Sequence, residues 1–127
     1  MQILIVEDDA SIRRMIMQML NREGHHVLEA MNGYYALKIL RKHSEIGLVI
    51  TDIVMPEKEG LETIQEIKEM KPLTKIIAIS GGGKIDADNY LVLARHLGAD
   101  ATLSKPFHKN DLLRIINETG QVPASTG

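Results

Sequence analysis

Leu48-Val49-Ile50-Thr51-Asp52-Ile53-Val54-Met55-Pro56 is a short apolar run, rich in β-branched residues, interrupted by one carboxylate and broken by Pro56 and then Gly60. Four to eight such residues bounded by turn formers read as a buried strand. Asp52 then stands where that strand opens into a loop. A carboxylate taken out of water is unfavourable unless a cation or hydrogen bonds meet it. The chain on either side is the place to look for those groups.

Upstream, Ile3-Leu4-Ile5-Val6 is a continuous apolar run, the pattern of a strand buried on both faces, and it ends in Glu7-Asp8-Asp9. Ile12, Met15, Ile16, Met19 and Leu20 recur at helical spacing until Gly24, with Asp9 or Ser11 as cap. His26 to Ala30 reads as a second strand, Asn32-Gly33 as a turn, and Ala36, Leu37 and Leu40 as the apolar stripe of a second helix. Downstream, Leu61, Ile64, Ile67 and Met70 predict a third helix that closes near Lys71-Pro72. Lys75 to Ser80 is a fourth strand, followed by Gly81-Gly82-Gly83, and a fourth helix runs from Ala87 to Leu97. Ala101 to Ser104 is a fifth strand, and Leu112, Leu113, Ile115 and Ile116 belong to a last helix after Lys105-Pro106-Phe107.

Strands and helices alternate throughout, with short connections. Such connections demand right-handed crossovers and a parallel sheet covered on both faces, a doubly wound α/β domain. The 127 residues suit one domain, spanning 1–119, with 120–127 as a flexible tail lacking apolar periodicity. Net charge is −2, with no basic run, which argues against nucleic-acid or anionic-membrane binding. Cysteine is absent, so neither disulfides nor thiolate metal sites are available. No signal peptide or membrane-spanning run is evident, and the expected location is the cytoplasm. The five histidines show no metal-ligand spacing, and Gly81-Gly82-Gly83 lacks the Lys-Ser/Thr of a nucleotide-binding phosphate loop.

In doubly wound sheets ligands bind beyond the carboxyl ends of the strands. The first strand ends at Glu7 and Asp8, the third at Asp52, the fourth at Ser80, and the fifth at Lys105. Clustered carboxylates repel, and a hard divalent cation relieves the conflict. Mg²⁺ takes oxygen ligands and usually adds phosphate oxygens to one or two carboxylates. An acid, Mg²⁺, an ammonium and a hydroxyl together suit phosphoryl transfer, which depends on positioning and charge neutralisation. A carboxylate can itself be the acceptor.

The chain resembles the receiver domain of two-component response regulators, on Ile5-Val6-Glu7-Asp8, Asn32-Gly33 with Ala36-Leu37, Asp52-x-x-Met55-Pro56 with Gly60, Ser80-Gly81, Gly98-Ala99 and Lys105-Pro106-Phe107, in order from Gln2 to about Glu118. The resemblance implies a five-stranded flavodoxin-like sheet of order 2-1-3-4-5. It implies that Asp52 accepts a phosphoryl group from a phosphohistidine of a sensor kinase or phosphotransfer protein. It also implies Mg²⁺ held by Asp8, Asp52 and the Val54 backbone carbonyl, with Glu7 direct or through water. Ser80 and Lys105 would each bind a phosphoryl oxygen, and the Lys105–Pro106 bond would be cis. Such a protein is a switch, not an enzyme with a separate substrate. It signals to an unknown downstream protein, as a monomer or a phosphorylation-dependent dimer.

Two departures from that pattern stand out. The aromatic ring common on strand five is here Thr102, and the Gly81–Gly83 loop, with Lys84 to Asp88 behind it, is a few residues longer than is common and is expected to be mobile without phosphate and to order around it. Two rival readings are a phosphatase or mutase with an Asp nucleophile, and a constitutive module that has lost the switch. The first would place Asp-x-Asp after strand one, where this chain has Glu7-Asp8-Asp9. The full set of acids with Ser80 and Lys105 argues against the second.

Overall fold

Continuous apolar runs alternate with amphipathic stretches, and the chain folds accordingly. A computed structural model describes residues 1–53, 60–80 and 87–121. In order these form β1 (Gln2–Val6), α1 (Ala10–Arg22), β2 (His26–Ala30), α2 (Gly33–Lys42), β3 (Leu48–Asp52), α3 (Gly60–Met70), β4 (Lys75–Ser80), α4 (Ala87–Leu97), β5 (Ala101–Ser104) and α5 (Lys109–Gln121). The strands make one sheet of order β2-β1-β3-β4-β5, parallel at every pairing. The doubly wound expectation and its strand order therefore hold.

Alternation along the strands builds two cores. Ile3, Ile5, Leu48, Ile50, Ile77 and Ile79 face α1 and α5, packing on Ile16, Leu20, Leu112 and Ile116. Leu4, Val6, Val49, Ile76 and Ala78 face the other way, onto Leu37, Leu40, Ile64, Ile67 and Ala94 of α2, α3 and α4. The central strand β3 is buried at every position. Its continuous apolar run has no polar alternation because neither face meets water.

Three details differ from the sequence reading. Asn32-Gly33 is not a free turn: Asn32 caps α2, its side chain accepting from Tyr35 N at 3.0 Å, and Gly33 is the first helical residue. Asn serves both turns and caps, because its short amide bonds nearby backbone in either setting. Met15 lies half exposed rather than in the apolar stripe of α1, whereas Met17 and Met19 pack against the core. And α5 takes in Gly120 and Gln121, two residues assigned above to the tail.

Candidate functional site

Register brings the strand ends together. Ile5 pairs with Ile50 and Val6 with Thr51, so the next residues, Glu7 and Asp52, come level at the edge of the sheet. Both continue the rows that face α1 and α5, as does Lys105 two residues beyond Leu103. The side chains meet. Lys105 Nζ donates to Glu7 Oε1 at 3.0 Å and lies 3.5 Å from Asp52 Oδ2. Carboxylate oxygens of Glu7, Asp8 and Asp52 all lie within 4.8 Å of one another.

Glu7 and Asp52 are buried, while Asp8 is exposed. Burial, and then the negative charge of Asp52, push the Glu7 carboxyl up to about 7, against the opposing pull of Lys105. Burial lowers the Lys105 ammonium, but its bond to Glu7 and the charge of Asp52 prevail, leaving its pKa raised. Among the described residues Lys105 is paired with Glu7 and Asp52, and Asp8 adds a third acid to the cluster, which leaves it short of positive charge.

The donor set fits a hard divalent cation. Among the described residues the grouped ligand atoms are carboxylate oxygens, and two oxygens on one Mg²⁺ sit about 3 to 4 Å apart. The carboxylate oxygens, all within 4.8 Å of one another, are close to that spacing. Asp8, Asp52 and Glu7 would hold such an ion, and it would draw the Glu7 proton off by supplying the missing charge. The Val54 carbonyl lies outside the described residues.

Ser80 closes β4 and is buried. Asp52 pairs with Ile79, which puts Ser80 one residue further along the neighbouring strand. Its carbonyl accepts from Lys105 N at 2.8 Å, so its main chain is stitched to the strand end that carries the ammonium. By alternation Ser80 continues the row of Ile76 and Ala78, on the opposite face from Ile79. The Lys105–Pro106 peptide is cis. Thr102, in register with Ala78, is half-buried on β5. The Gly81–Gly83 segment and its expected ordering lie outside the described residues.

Of the two cap candidates, Asp9 is the α1 N-cap: its Oδ1 accepts from Ser11 N at 2.9 Å and Ile12 N at 3.1 Å. Gly60 starts α3 against the end of β3. Its N–H donates to Ile53 O at 2.8 Å, and a Cβ there would collide with the Asp52 and Ile53 backbone. The glycine thus lets a helix approach the main chain that carries Asp52.

The sequence reading passed over Arg13. It lies on α1, where a cation ordinarily reads as solvated. Instead its Nη1 donates to the Glu7 carbonyl at 2.8 Å and its Nε to Glu29 Oε1 at 2.7 Å. Only the apolar neighbours of Arg13 repeat at helical spacing, so no sequence signal marks it.

A sequence profile of the response regulator receiver domain matches residues 3–117. The response regulator receiver protein CpdR of Brucella abortus is 35% identical over 122 residues, covering 92% of this chain and 94% of its own. The transcriptional regulatory protein CpxR of Klebsiella pneumoniae is 33% identical over 115 residues, covering 91% of this chain but 47% of its own. The chain therefore spans about half of that relative and nearly all of the former. A response regulator receiver domain from Clostridium thermocellum superimposes with a TM-score of 0.84 at 34% identity, over 93% of this chain and 92% of its own.

Proposed function

The chain belongs to the response regulator receiver domain family of two-component systems, and from that premise we propose that Asp52 is the phosphoacceptor of a Mg²⁺-dependent switch. One observation carries the reading: carboxylate oxygens from beyond the end of β1 and from the end of β3 lie within 4.8 Å of one another, and the Lys105 ammonium lies 3.5 Å from Asp52.

The donor is a phosphohistidine on a histidine kinase or a phosphotransfer protein. An oxygen of Asp52 attacks phosphorus, the phosphorus–nitrogen bond breaks, and its electron pair leaves on the imidazole, which takes a proton. Mg²⁺, when bound, neutralises phosphoryl oxygens beside the acids. Lys105 turns its ammonium from Asp52 to a phosphoryl oxygen, and Ser80 donates its hydroxyl to another. Asp8 and Asp52 would hold the ion, with Glu7 joining directly or through water. The reaction needs placement and charge more than bond-making by other side chains, in keeping with a loose phosphoryl-transfer transition state.

The domain assists its own phosphorylation and hydrolysis without turning over a separate substrate. Its output is a changed surface offered to a downstream protein, as a monomer or as a dimer formed on phosphorylation. No helix among the described residues is long and apolar enough to cross a membrane. A cytoplasmic setting agrees with a kinase-fed switch.

Incubation with acetyl phosphate and Mg²⁺, followed by intact mass, tests the proposal. A gain of one phosphoryl group that disappears in Asp52→Asn and in EDTA is expected. An unchanged mass, or steady turnover of small phosphate esters by the wild type, would overturn it.

A further inference from the structure

We propose that Arg13, locked by Glu29, is the positioning residue that holds Glu7 and Asp8 ready for the divalent ion. This inference rests on the Mg²⁺-dependent reading of the site above.

One peptide group sets the direction of Asp8. The Glu7 carbonyl belongs to the plane that joins Glu7 to Asp8, because the peptide bond does not rotate freely. Turning that plane swings the Cα of Asp8, and its carboxylate with it. The plane lies just past Val6, where β1 has ended and α1 has not begun, and a side-chain donor, Arg13, meets its carbonyl.

Arg13 reaches that carbonyl from α1. Asp9 as N-cap sets the start of α1, and helical side chains point back toward the N-terminus, so Arg13 reaches over the first turn. Its Nη1 meets the Glu7 carbonyl at 2.8 Å. Its Nε meets Glu29 Oε1 on edge strand β2 at 2.7 Å, which removes the remaining freedom of the guanidinium fork. The Arg13 side chain is only 16% exposed.

The neighbouring groups complete the frame. Glu7 N donates to Ala30 O at 3.1 Å, so β2 holds the Glu7 main chain from its amide side as well. Asp9 N donates to Glu7 Oε2 at 3.3 Å, and Lys105 holds Oε1. With Arg13 in place, both ends of the Glu7 residue are fixed before an ion arrives. Groups that orient metal ligands in this way typically change affinity about 10- to 100-fold when removed.

Charge and positioning make opposite predictions. Arg13 is a cation near a cation site, so on charge alone its removal tightens Mg²⁺. As a positioning residue its removal weakens Mg²⁺. Calorimetric titration of Mg²⁺ into the wild type, Arg13→Ala, Arg13→Lys and Arg14→Ala separates the two. Arg14, exposed on the same helix, reports the charge effect alone.

Arg13→Ala is expected to raise the Mg²⁺ Kd about tenfold and Arg13→Lys about threefold, the lysine keeping the charge but not the fork. Arg14→Ala is expected to leave the Kd unchanged or slightly lower. Labelling by acetyl phosphate should return to the wild-type maximum rate in Arg13→Ala once Mg²⁺ saturates, because the chemistry at Asp52 is intact. An Arg13→Ala Kd equal to or below that of the wild type overturns the inference. So does a labelling rate that saturating Mg²⁺ fails to restore. If Arg13→Ala does not fold, an unchanged Kd in Arg13→Lys overturns it instead. A wild type that neither binds Mg²⁺ nor takes the phosphoryl group refutes the site reading itself, whatever the variants do.

Discussion

Glu7 shows how one residue links stability to pH. Its ordinary value of 4.5 is pushed up to about 7 by burial and by Asp52. The folded state therefore binds this proton more tightly than the unfolded chain. The stability that protonation contributes is fully present below pH 4.5 and is lost as pH rises through 7. In EDTA, urea unfolding across that window should give a steeper decline for the wild type than for Glu7→Gln, with a difference on the order of 3 kcal/mol. Asp52→Asn should pull the midpoint down, since it deletes a charge that raises it. Lys105→Met should move the midpoint up, because the ammonium is the one group named here that opposes the shift. An identical pH slope in wild type and Glu7→Gln would mean the proton is held elsewhere.

At the level of elements, the joints between strand and helix carry the site, and two of them invite substitution. Asp9 satisfies the first free amides of α1 from Oδ1. Asp9→Ala should cost about 1 kcal/mol, as N-cap losses usually do, and should leave phosphoryl acceptance in place at saturating Mg²⁺. If labelling vanished with the fold intact, Asp9 would have to act in the site as well as cap the helix. Gly60 presents the harsher case. A methyl group there meets the backbone of Asp52 and Ile53, which no rotamer change relieves. Gly60→Ala should destabilise by more than about 3 kcal/mol in chemical denaturation, because α3 must move off the end of β3. At the other end of the sheet, Lys68 bonds Thr74 O at 2.8 Å and Asp100 at 3.0 Å, and Asp100 accepts from Ile76 N at 2.8 Å. Gly98, with φ of +125°, leaves room for the Lys68 side chain to pass. This tie joins α3, β4 and the approach to β5 far from the acids, so Asp100→Ala should lower stability while leaving the Mg²⁺ Kd untouched.

Across the whole molecule, an ion that binds only the folded state must raise its melting temperature. Millimolar Mg²⁺ should raise the wild-type Tm by several degrees at neutral pH, and by much less in Asp8→Ala. The same addition should flatten the Glu7 pH slope, since the ion displaces the proton. Much of this was legible beforehand. Buried strands announce themselves as unbroken runs such as Leu48 to Ile50, because both faces of a parallel sheet are dry, and turn formers mark where each run stops. Those stops were enough to list Glu7, Asp8, Asp52, Ser80 and Lys105 as strand-end groups. Asn32 was misread as a turn because cap and turn use the same side-chain bond. Met15 repeats with the apolar stripe yet lies half exposed, because a flexible thioether fits the edge of a stripe as well as its centre. Local periodicity, then, determined the elements, their parallel arrangement and the residues at their ends. Only the tertiary structure decided that Asp8, which strict alternation would send to the other face, turns back toward Glu7 and Asp52. It also decided that Arg13 pairs with Glu29, sixteen residues away, and donates to the Glu7 carbonyl. The reason is physical: alternation governs residues only while a ladder holds them, and where the ladder ends, contacts with distant parts of the chain set each direction.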